Sequence, residues 1–428
     1  MFNQLRGTLA PLPADGVAAA HAPFGQSRML PRLAYVDEAV FAWEQANIFA
    51  GWVCLGRAEK FAEAGTQHAV ETGAGSALVV RGDDDQLRVF ANVCRHRGHE
   101  LVACGATVKN KHIVCPYHAW TYKLDGSLRV APGDFRKVEG FDTSEFGLVE
   151  LNAVNWHGWL FVDPSGEAGS FEEHAAGLEG IVANYRPEDL VTVDTHSYEL
   201  ATNWKTIVEN YQECYHCSSI HPELCQVSPP QSGENLAPDG EWMGGWMALM
   251  DHAESMSFSG ESSGQFIEGL NDMEQRTVMY LVAFPNLLIS LHPDYVMTHT
   301  LRPISAGRTF VECSWAFPKA VAEREGFDPS YAVDFWDLTN RQDWAACESV
   351  QRGLESPHAI PGPLAPEEDG VYQFVSRIAR AYAGLGRADD ARPSIVTGEA
   401  TAGATPETET VTETVTEPET ATEAGSLT

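Results

Sequence analysis

Basic residues are scarce in this chain. Its 428 residues hold 28 Lys and Arg against 60 Asp and Glu, a formal net charge of −32. Phosphate binding needs clustered Lys and Arg, so nucleic acid is excluded as an expected partner. Part of the imbalance is the tail: residues 398–428 hold seven Glu and no basic residue, and the rest of the chain still carries −25. An acidic surface suits a cationic substrate, and it also serves plain solubility. Long apolar runs are missing as well. None approaches the ~18 residues of a membrane span, so no membrane association is expected. Residues 1–17 carry one Arg and no sustained apolar stretch, which gives no secretory signal. No flavin or nicotinamide fingerprint is found. Gly73 and Gly75 stand close together, but no helix pattern follows them. The nine cysteines are an odd number without a disulfide framework, so reduced thiols in a cytoplasm are expected. What remains, 44% hydrophobic and 21% charged, is the composition of a globular protein long enough for two domains.

Against that background one stretch is dense in metal-binding side chains. Cys94-Arg95-His96 is followed by eighteen residues and then by Cys115-Pro116-Tyr117-His118. Zinc fingers also use two Cys and two His, but they pair Cys with Cys and His with His. Mixed pairs, one per loop, suit a two-iron cluster in which one iron takes both thiolates and the other both imidazoles. Neutral histidines in place of thiolates make such a cluster less negative and raise its potential. Gly98 and Pro116 suit tight loops.

The surrounding text divides the chain. Residues 1–30 are rich in Ala, Pro and Gly and read as an extended arm, and Asp37 to Phe49 reads as an amphipathic helix. Between Trp52 and Phe161 short runs alternate around Gly and Asp. Ser76 to Arg81 and Leu87 to Val93 flank Gly82-Asp83-Asp84-Asp85 as a hairpin. After Pro164 come helical text from Phe171 to Ala183, a strand from Leu190 to Thr202 and a helix from Trp204 to Tyr215. Cys225 to Phe266 lacks periodicity and reads as a functional lid or an insertion. Strands follow from Thr277 to Phe317, then helices from Tyr331 to Leu354 and Tyr372 to Tyr382. The expected division is 1–44 arm and helix, 45–165 small all-β domain, 166–392 larger α+β domain with an antiparallel sheet. Residues 393–428, rich in Thr and Glu, form an expected disordered acidic tail.

The larger domain carries a second set: Glu209-Asn210-Tyr211-Gln212-Glu213-Cys214-Tyr215-His216, then His221-Pro222. Five residues on a continuous helix turn about 500°, leaving His216 and His221 roughly 140° apart. They meet on one metal only if the helix breaks, and Ser218, Ser219 and Pro222 supply the means. Two histidines and one carboxylate on one face of a ferrous ion leave positions open for dioxygen. On chemistry alone Asp334, Asp337, Asp343 and Glu348 all compete for the carboxylate.

Cys94-Arg95-His96-Arg97-Gly98 and Cys115-Pro116-Tyr117-His118-Ala119-Trp120-Thr121-Tyr122 resemble the cluster loops of the Rieske non-heme iron oxygenases, and the likeness runs from about Tyr35 to about Phe374. The resemblance implies an all-β Rieske domain bearing a [2Fe-2S] cluster on Cys94, His96, Cys115 and His118. It also implies a catalytic domain of helix-grip type with mononuclear Fe(II) on His216, His221 and Asp343. Asp343 is chosen because Asp343 to Leu354 looks like the family's D-x-x-x-x-E-x-V-Q-x-G-L helix. Glu213 takes the place of the carboxylate that bridges the two centres between neighbouring subunits of a trimer. Most ring-hydroxylating members carry Asp there. Glu is found in members similar to choline, glycine-betaine and carnitine monooxygenases.

The implied activity is oxygenation with O2 and electrons from a separate reductase or ferredoxin, NAD(P)H serving only through that partner. Glu213 and the lid residues Trp242, Met243, Trp246, Met247 and Met250 favour hydroxylation or N-demethylation of a methylated ammonium compound. The alternatives are hydroxylation of an aromatic acid and, in another class, a Rieske-type electron carrier.

Overall fold

The structure, a computed structural model, describes residues 6–385. The expected tail, 393–428, lies outside the described residues. Ala-rich text after Pro13 makes the first helix, α1 (Ala14–Ala20), which buries Val17 and Ala20. The N-terminal segment is therefore no extended arm. It packs on the C-terminal helix, where the Ala10 N–H donates to the Tyr382 carbonyl at 3.1 Å. Asp37 caps α2 (Glu38–Asn47) by accepting from the Ala39 N–H at 2.7 Å.

Four strands follow as one antiparallel sheet in the order β4-β3-β2-β5: β2 (Thr66–Thr72), β3 (Gly75–Arg81), β4 (Leu87–Ala91) and β5 (Thr107–Lys109). β3 and β4 form the expected hairpin, with Leu78 opposite Phe90. A second small sheet, β6 (Ile113–Val114), β7 (Thr121–Tyr122) and β8 (Leu128–Val130), closes a core around Leu78, Phe90, Trp120 and Tyr122. A third joins β1 (Val53–Arg57), β9 (Asn152–Trp156) and β10 (Trp159–Asp163) in the order β1-β10-β9.

The rest is built on a seven-stranded antiparallel sheet. Its strands are β11 (Leu190–Leu200), β12 (Glu234–Asn235), β13 (Trp242–Ala248), β14 (Thr277–Ala283), β15 (Leu287–Leu291), β16 (Val296–Ser305) and β17 (Arg308–Pro318), ordered β11-β17-β16-β15-β14-β13-β12. β14 and β15 read as nearly unbroken apolar runs because both faces are covered. On one side Met279, Leu281 and Leu287 join Trp159 and Phe161 of β10. On the other, Val278, Met297 and Trp315 meet Val333, Phe335 and Trp336 of a long helix. Mixed strands and helices in this order are the expected α+β class.

Three further expectations are corrected. The supposed lid contains β13, paired with β14 with Trp242 opposite Ala283. Gly244-Gly245 in its middle hides the alternation, and a side chain at Gly245 would run into the Glu234 carbonyl of β12. The helix expected over Phe171 to Ala183 is two short ones, Phe171–His174 and Leu178–Val182, parted at Gly177 with φ +73°. The helix expected over Trp204 to Tyr215 ends at Tyr211.

That helix, α3 (Trp204–Tyr211), is buried over most of its length and carries charge inward. The Lys205 ammonium donates to Glu44 of α2 at 2.5 Å, both side chains fully buried. The Trp204 indole donates to the other Glu44 oxygen at 2.8 Å, and the Tyr382 hydroxyl also donates to Glu44. The Tyr35 hydroxyl donates to Glu209 at 2.7 Å. Burial pushes the Glu209 carboxyl up to about 8, against the Tyr35 hydrogen bond and the Lys205 charge that lower it.

Because the folded pKa lies above that of an unfolded Glu, Glu209 favours folding at low pH. That contribution is lost as pH rises from about 4.5 through about 8. Glu209→Gln should flatten the fall in stability across pH 6 to 9, measured by chemical denaturation at each pH. A variant whose profile keeps the wild-type slope would show that Glu209 carries no proton in the folded protein.

Candidate active site

The two Cys/His loops have the same backbone geometry. The Cys94 carbonyl accepts from the Gly98 N–H and the Cys115 carbonyl from the Ala119 N–H, both at 3.0 Å. Each loop then turns through a left-handed residue, Gly98 at φ +73° and Ala119 at φ +55°. For Ala this conformation carries strain, and it appears where the loop must present its ligands. The sulfurs point inward: Cys94 and Cys115 are each 2% exposed. Burial raises the Cys115 thiol, and its hydrogen bond with Cys94 raises it further. The Tyr122 hydroxyl lies 3.3 Å from the Cys94 sulfur and accepts the Arg95 N–H at 3.0 Å. The imidazoles lie nearer the surface, His118 exposed and His96 half-buried. His96 and His118 have ring centroids 4.9 Å apart, and His96 stacks on Trp120 at 5.0 Å. Thiols inside and imidazoles at the surface fit a two-iron cluster with unlike ends.

The second set is assembled from two elements. α3 starts where the Asn203 side chain accepts the Lys205 N–H at 3.0 Å, and it stops at Tyr211. The helix therefore breaks before His216, earlier than Ser218 and Pro222 suggested. One further turn, α4 (Cys217–Ile220), follows, with His216 at its start and His221 leaving it at φ −122°, ψ 64°. That departure brings the two rings to 5.1 Å between centroids.

The carboxylate comes from the long helix, α5 (Ser330–Leu354), whose inner stripe includes Trp336, Asn340, Trp344 and Cys347. Asp343 lies along it. Its Oδ1 is 2.8 Å from His221 Nε2 and 3.4 Å from His216 Nε2. One donor atom from each of the three residues fits within 4.8 Å of the others. The competitors are engaged elsewhere or exposed. Asp337 takes the Tyr198 hydroxyl and Arg341, Glu348 accepts the Ala201 N–H at 2.9 Å, and Asp334 faces solvent.

Both Nδ1 atoms are held from behind. His216 Nδ1 is 2.5 Å from Glu213 Oε1, and His221 Nδ1 is 2.7 Å from Gln342 Oε1. With Nδ1–H donated outward, both Nε2 lone pairs are free to converge. The Glu213–His216 contact does not come from a shared helical face, since neither residue lies in a helix. Glu213 reaches around the break, its Oε2 also accepting the His216 N–H at 3.0 Å. Burial lowers His216, but the hydrogen bonds that Asp343 and Glu213 accept from its ring, and their charges, prevail and push it up to about 9. Burial raises Asp343, and its two histidines outweigh that to leave it below the ordinary carboxylate value. A carboxylate and two imidazoles pulled together around a proton are a donor set suited to a divalent ion.

Cys214 and Cys217 are joined as a disulfide with Cα atoms 4.9 Å apart, against the expectation of reduced thiols throughout. The break after α3 brings them together.

A cavity of about 670 Å³ opens over this site. Tyr211, Tyr280 and Trp336 form part of its wall, with ring centroids 6.0 and 6.3 Å apart. Trp246 and Met247 line it, whereas Trp242 belongs to the core and donates its indole N–H to the Ala176 carbonyl. The sequence reading missed Gln342, Tyr280, His299 and Trp336. Gln342 was legible in part as the neighbour of Asp343. The strand residues carried no signal that separated them from core.

Residues 51–142 match the Rieske [2Fe-2S] domain and residues 187–384 the ring hydroxylating alpha subunit catalytic domain. The carnitine monooxygenase oxygenase subunit of Escherichia coli K12 is 38% identical over 337 residues, covering 76% of this chain and 84% of that one. The chain belongs to the Rieske non-heme iron oxygenases. The glycine betaine monooxygenase oxygenase subunit of Pseudomonas aeruginosa is 29% identical over 376 residues, 81% of this chain and 87% of the relative. Among solved structures, a quaternary ammonium Rieske monooxygenase superposes with a TM-score of 0.71 at 25% identity, covering 88% of this chain and all of that one. As a Rieske oxygenase the chain is an oxidoreductase that uses a [2Fe-2S] cluster, a mononuclear iron and O2. Among the described residues no helix is long and apolar enough to cross a membrane.

His216→Ala, His221→Ala and Asp343→Ala should each lower the iron content from about three to about two per chain and leave the cluster spectrum intact. Asp337→Ala should keep all three. Metal analysis beside visible absorption decides. Iron loss in Asp337→Ala with full occupancy in Asp343→Ala would reassign the carboxylate.

Proposed function

We propose that this chain is the oxygenase component of a system that hydroxylates, or N-demethylates, a methylated ammonium compound. The observation that carries the reading is the wall formed by Tyr211, Tyr280 and Trp336 in the cavity over His216, His221 and Asp343. Aromatic faces attract a quaternary ammonium by about 0.5–2 kcal/mol each, more when water is excluded. Burial raises the Tyr280 hydroxyl well above its ordinary value, so that ring stays neutral. The relatives named for carnitine, glycine betaine and quaternary ammonium substrates support the same class.

His216, His221 and Asp343 would hold the iron, and Cys94, His96, Cys115 and His118 the cluster. Together the two groups supply the reductive activation of dioxygen. The protein's part is to orient the substrate methyl group against the aromatic wall and to keep both Nε2 atoms turned inward through Glu213 and Gln342. With no flavin or nicotinamide fingerprint in the sequence, electrons come from a separate reductase or ferredoxin.

A ring of three chains would set each cluster loop against a neighbour's Glu213, with His96 or His118 donating to it. The quaternary ammonium monooxygenase at 25% identity is described with inter-subunit electron transfer, which favours this arrangement. Glu213 already accepts twice from His216, and a carboxylate has lone pairs to spare for a third donor.

Oxygen uptake coupled to product formation, with a reductase and a panel of methylated ammonium compounds, tests the function. Uptake that stays uncoupled from every such compound but couples to an aromatic acid would replace it with the ring-hydroxylating reading. Glu213→Gln should retain both metals but slow consumption of the reduced cluster in a single turnover by roughly tenfold or more, since an amide nitrogen now faces donors. Wild-type consumption with product formed would remove Glu213 from the electron path.

A further inference from the structure

Cys214 and Cys217 bracket His216, are joined as a disulfide and both line the catalytic cavity. The sulfur of Cys217 lies 4.0 Å from His216 Nε2, the same nitrogen that stands 3.4 Å from Asp343 Oδ1. C-x-x-C pairs open and close readily where a reductant can reach them. Here Cys214 is half-buried at the cavity wall and Cys217 is 4% exposed. A small dithiol therefore attacks the Cys214 sulfur, and Cys217 leaves as the thiolate, ready for a proton or a metal ion. The S–S bond breaks, two electrons and two protons pass to the pair, and the dithiol closes its own disulfide. A peroxide reverses the step. The thiols give up the same electrons and protons, the sulfurs rejoin, and the O–O bond breaks to give two waters.

Opening the bond does not unmake the turn. The Cys217 N–H donates to the Cys214 carbonyl at 3.1 Å, and Glu213 holds both the His216 N–H and its ring. What changes is the Cys217 sulfur, which becomes free to rotate and turns from a poor donor into a soft, strong one. We infer that this disulfide controls the ligand set of the metal site. Closed, it holds the Cys217 sulfur out and leaves His216, His221 and Asp343 as three ligands. Opened, it lets Cys217 join them as a fourth. The inference rests on the assignment of those three residues to the metal. Three ligands leave positions for dioxygen, whereas four with a thiolate among them make a closed tetrahedral set that favours zinc over iron. Oxidation of the pair keeps the site open, and reduction closes it.

The test replaces the mononuclear iron of the holoprotein with cobalt(II). The protein is compared with its disulfide intact and after a dithiol has acted and been removed. Cobalt is read at its own X-ray absorption edge, apart from the iron of the cluster. The expected result is no sulfur ligand in the oxidised protein and about one per cobalt in the reduced protein. Alkylation should count the thiols of Cys214 and Cys217 only in the reduced form, and peroxide should restore the first state. Zinc should bind the reduced form roughly tenfold or more tightly than the oxidised form. Cys214→Ser leaves Cys217 without its partner and should show the sulfur ligand in every preparation, and Cys217→Ser should show it in none. The Cys225 thiol donates to the Cys217 carbonyl at 3.4 Å, so Cys225→Ser is a neighbouring control and should behave as the wild type does. The cluster's visible spectrum reports that each variant has folded. A reduced cobalt protein without a sulfur ligand, or with one that survives Cys217→Ser, overturns the inference while leaving the three-residue metal site standing. An equal thiol count with and without the dithiol also overturns it. If cobalt binds in neither state, the metal assignment falls with it.

Discussion

A lysine with no exposed surface needs a partner for its charge, and Lys205 has one in Glu44. Such a pair adds little net stability compared with an apolar packing, but removing one partner strands a buried charge at a cost of about 3–5 kcal/mol. The geometry that follows is therefore tightly specified. Glu44 also takes the Trp204 indole and the Tyr382 hydroxyl, so α2, α3 and the last of the described helices, α6 (Asp369–Tyr382), meet on one carboxylate. The start of α3 is fixed again by Asn203, whose amide donates to the Tyr35 and Ala306 carbonyls. Asn203 in turn gives its N–H to Gln351 Oε1 of α5 at 3.1 Å. The entry to the helix before His216 and the helix that carries Asp343 are thus tied by direct hydrogen bonds. Three donors converging within a few ångströms from elements far apart in sequence need that rigidity, since a small slip would open the set.

The two candidate metal regions solve opposite problems. The Cys/His loops sit at the tips of short strands, with sulfurs inward and imidazoles at the surface. A group held there has one buried end and one accessible end. The His216, His221 and Asp343 set is enclosed under a long helix and a sheet, behind an aromatic wall. Electron entry needs exposure, whereas oxygen chemistry benefits from excluded water. Both arrangements depend on the same device. A turn forces a side chain to leave regular structure: Gly98 and Ala119 in the loops, the break at Gln212 and the exit at His221 in the catalytic part.

The sequence was most readable where chemistry and local spacing coincide. Cys94, His96, Cys115 and His118 are close in the chain, and their mixed pairing separates a cluster from zinc. The α5 pattern was also plain, because Trp336, Asn340, Trp344 and Cys347 recur at helical spacing. Asp343 was not singled out by that spacing. It needed the family resemblance, since Asp337 lies one and two-thirds turns earlier on the same helix and is taken up by Tyr198, His196 and Arg341, all remote from it or unmarked in the sequence. The region from Cys225 to Phe266 was misread because Gly244-Gly245 interrupts β13, where the backbone of β14 at Gly244 and of β12 at Gly245 leaves no room for side chains. The Cys214–Cys217 disulfide was missed because its proximity arises from a helix break placed several residues too late. The aromatic wall was misplaced for a related reason: lid tryptophans were legible as aromatics, but Tyr280 lies on a strand whose facing depends on partners remote in sequence.

Glu213 shows how such a break turns into function. On a continuous helix a carboxylate three residues before His216 would touch only the side chain above it. Here α3 ends at Tyr211, and Glu213 folds back so that one oxygen takes the His216 backbone N–H and the other its ring Nδ1–H. The first bond starts the turn of α4, and the second sets the tautomer that frees Nε2. A single residue thus fixes where His216 sits and which nitrogen it offers. Asp has the same two oxygens but one methylene less, so with this backbone it would fall short of reaching both donors. The longer side chain is matched to where the helix stops. The same grip uses one lone pair on each oxygen, and each oxygen has a second.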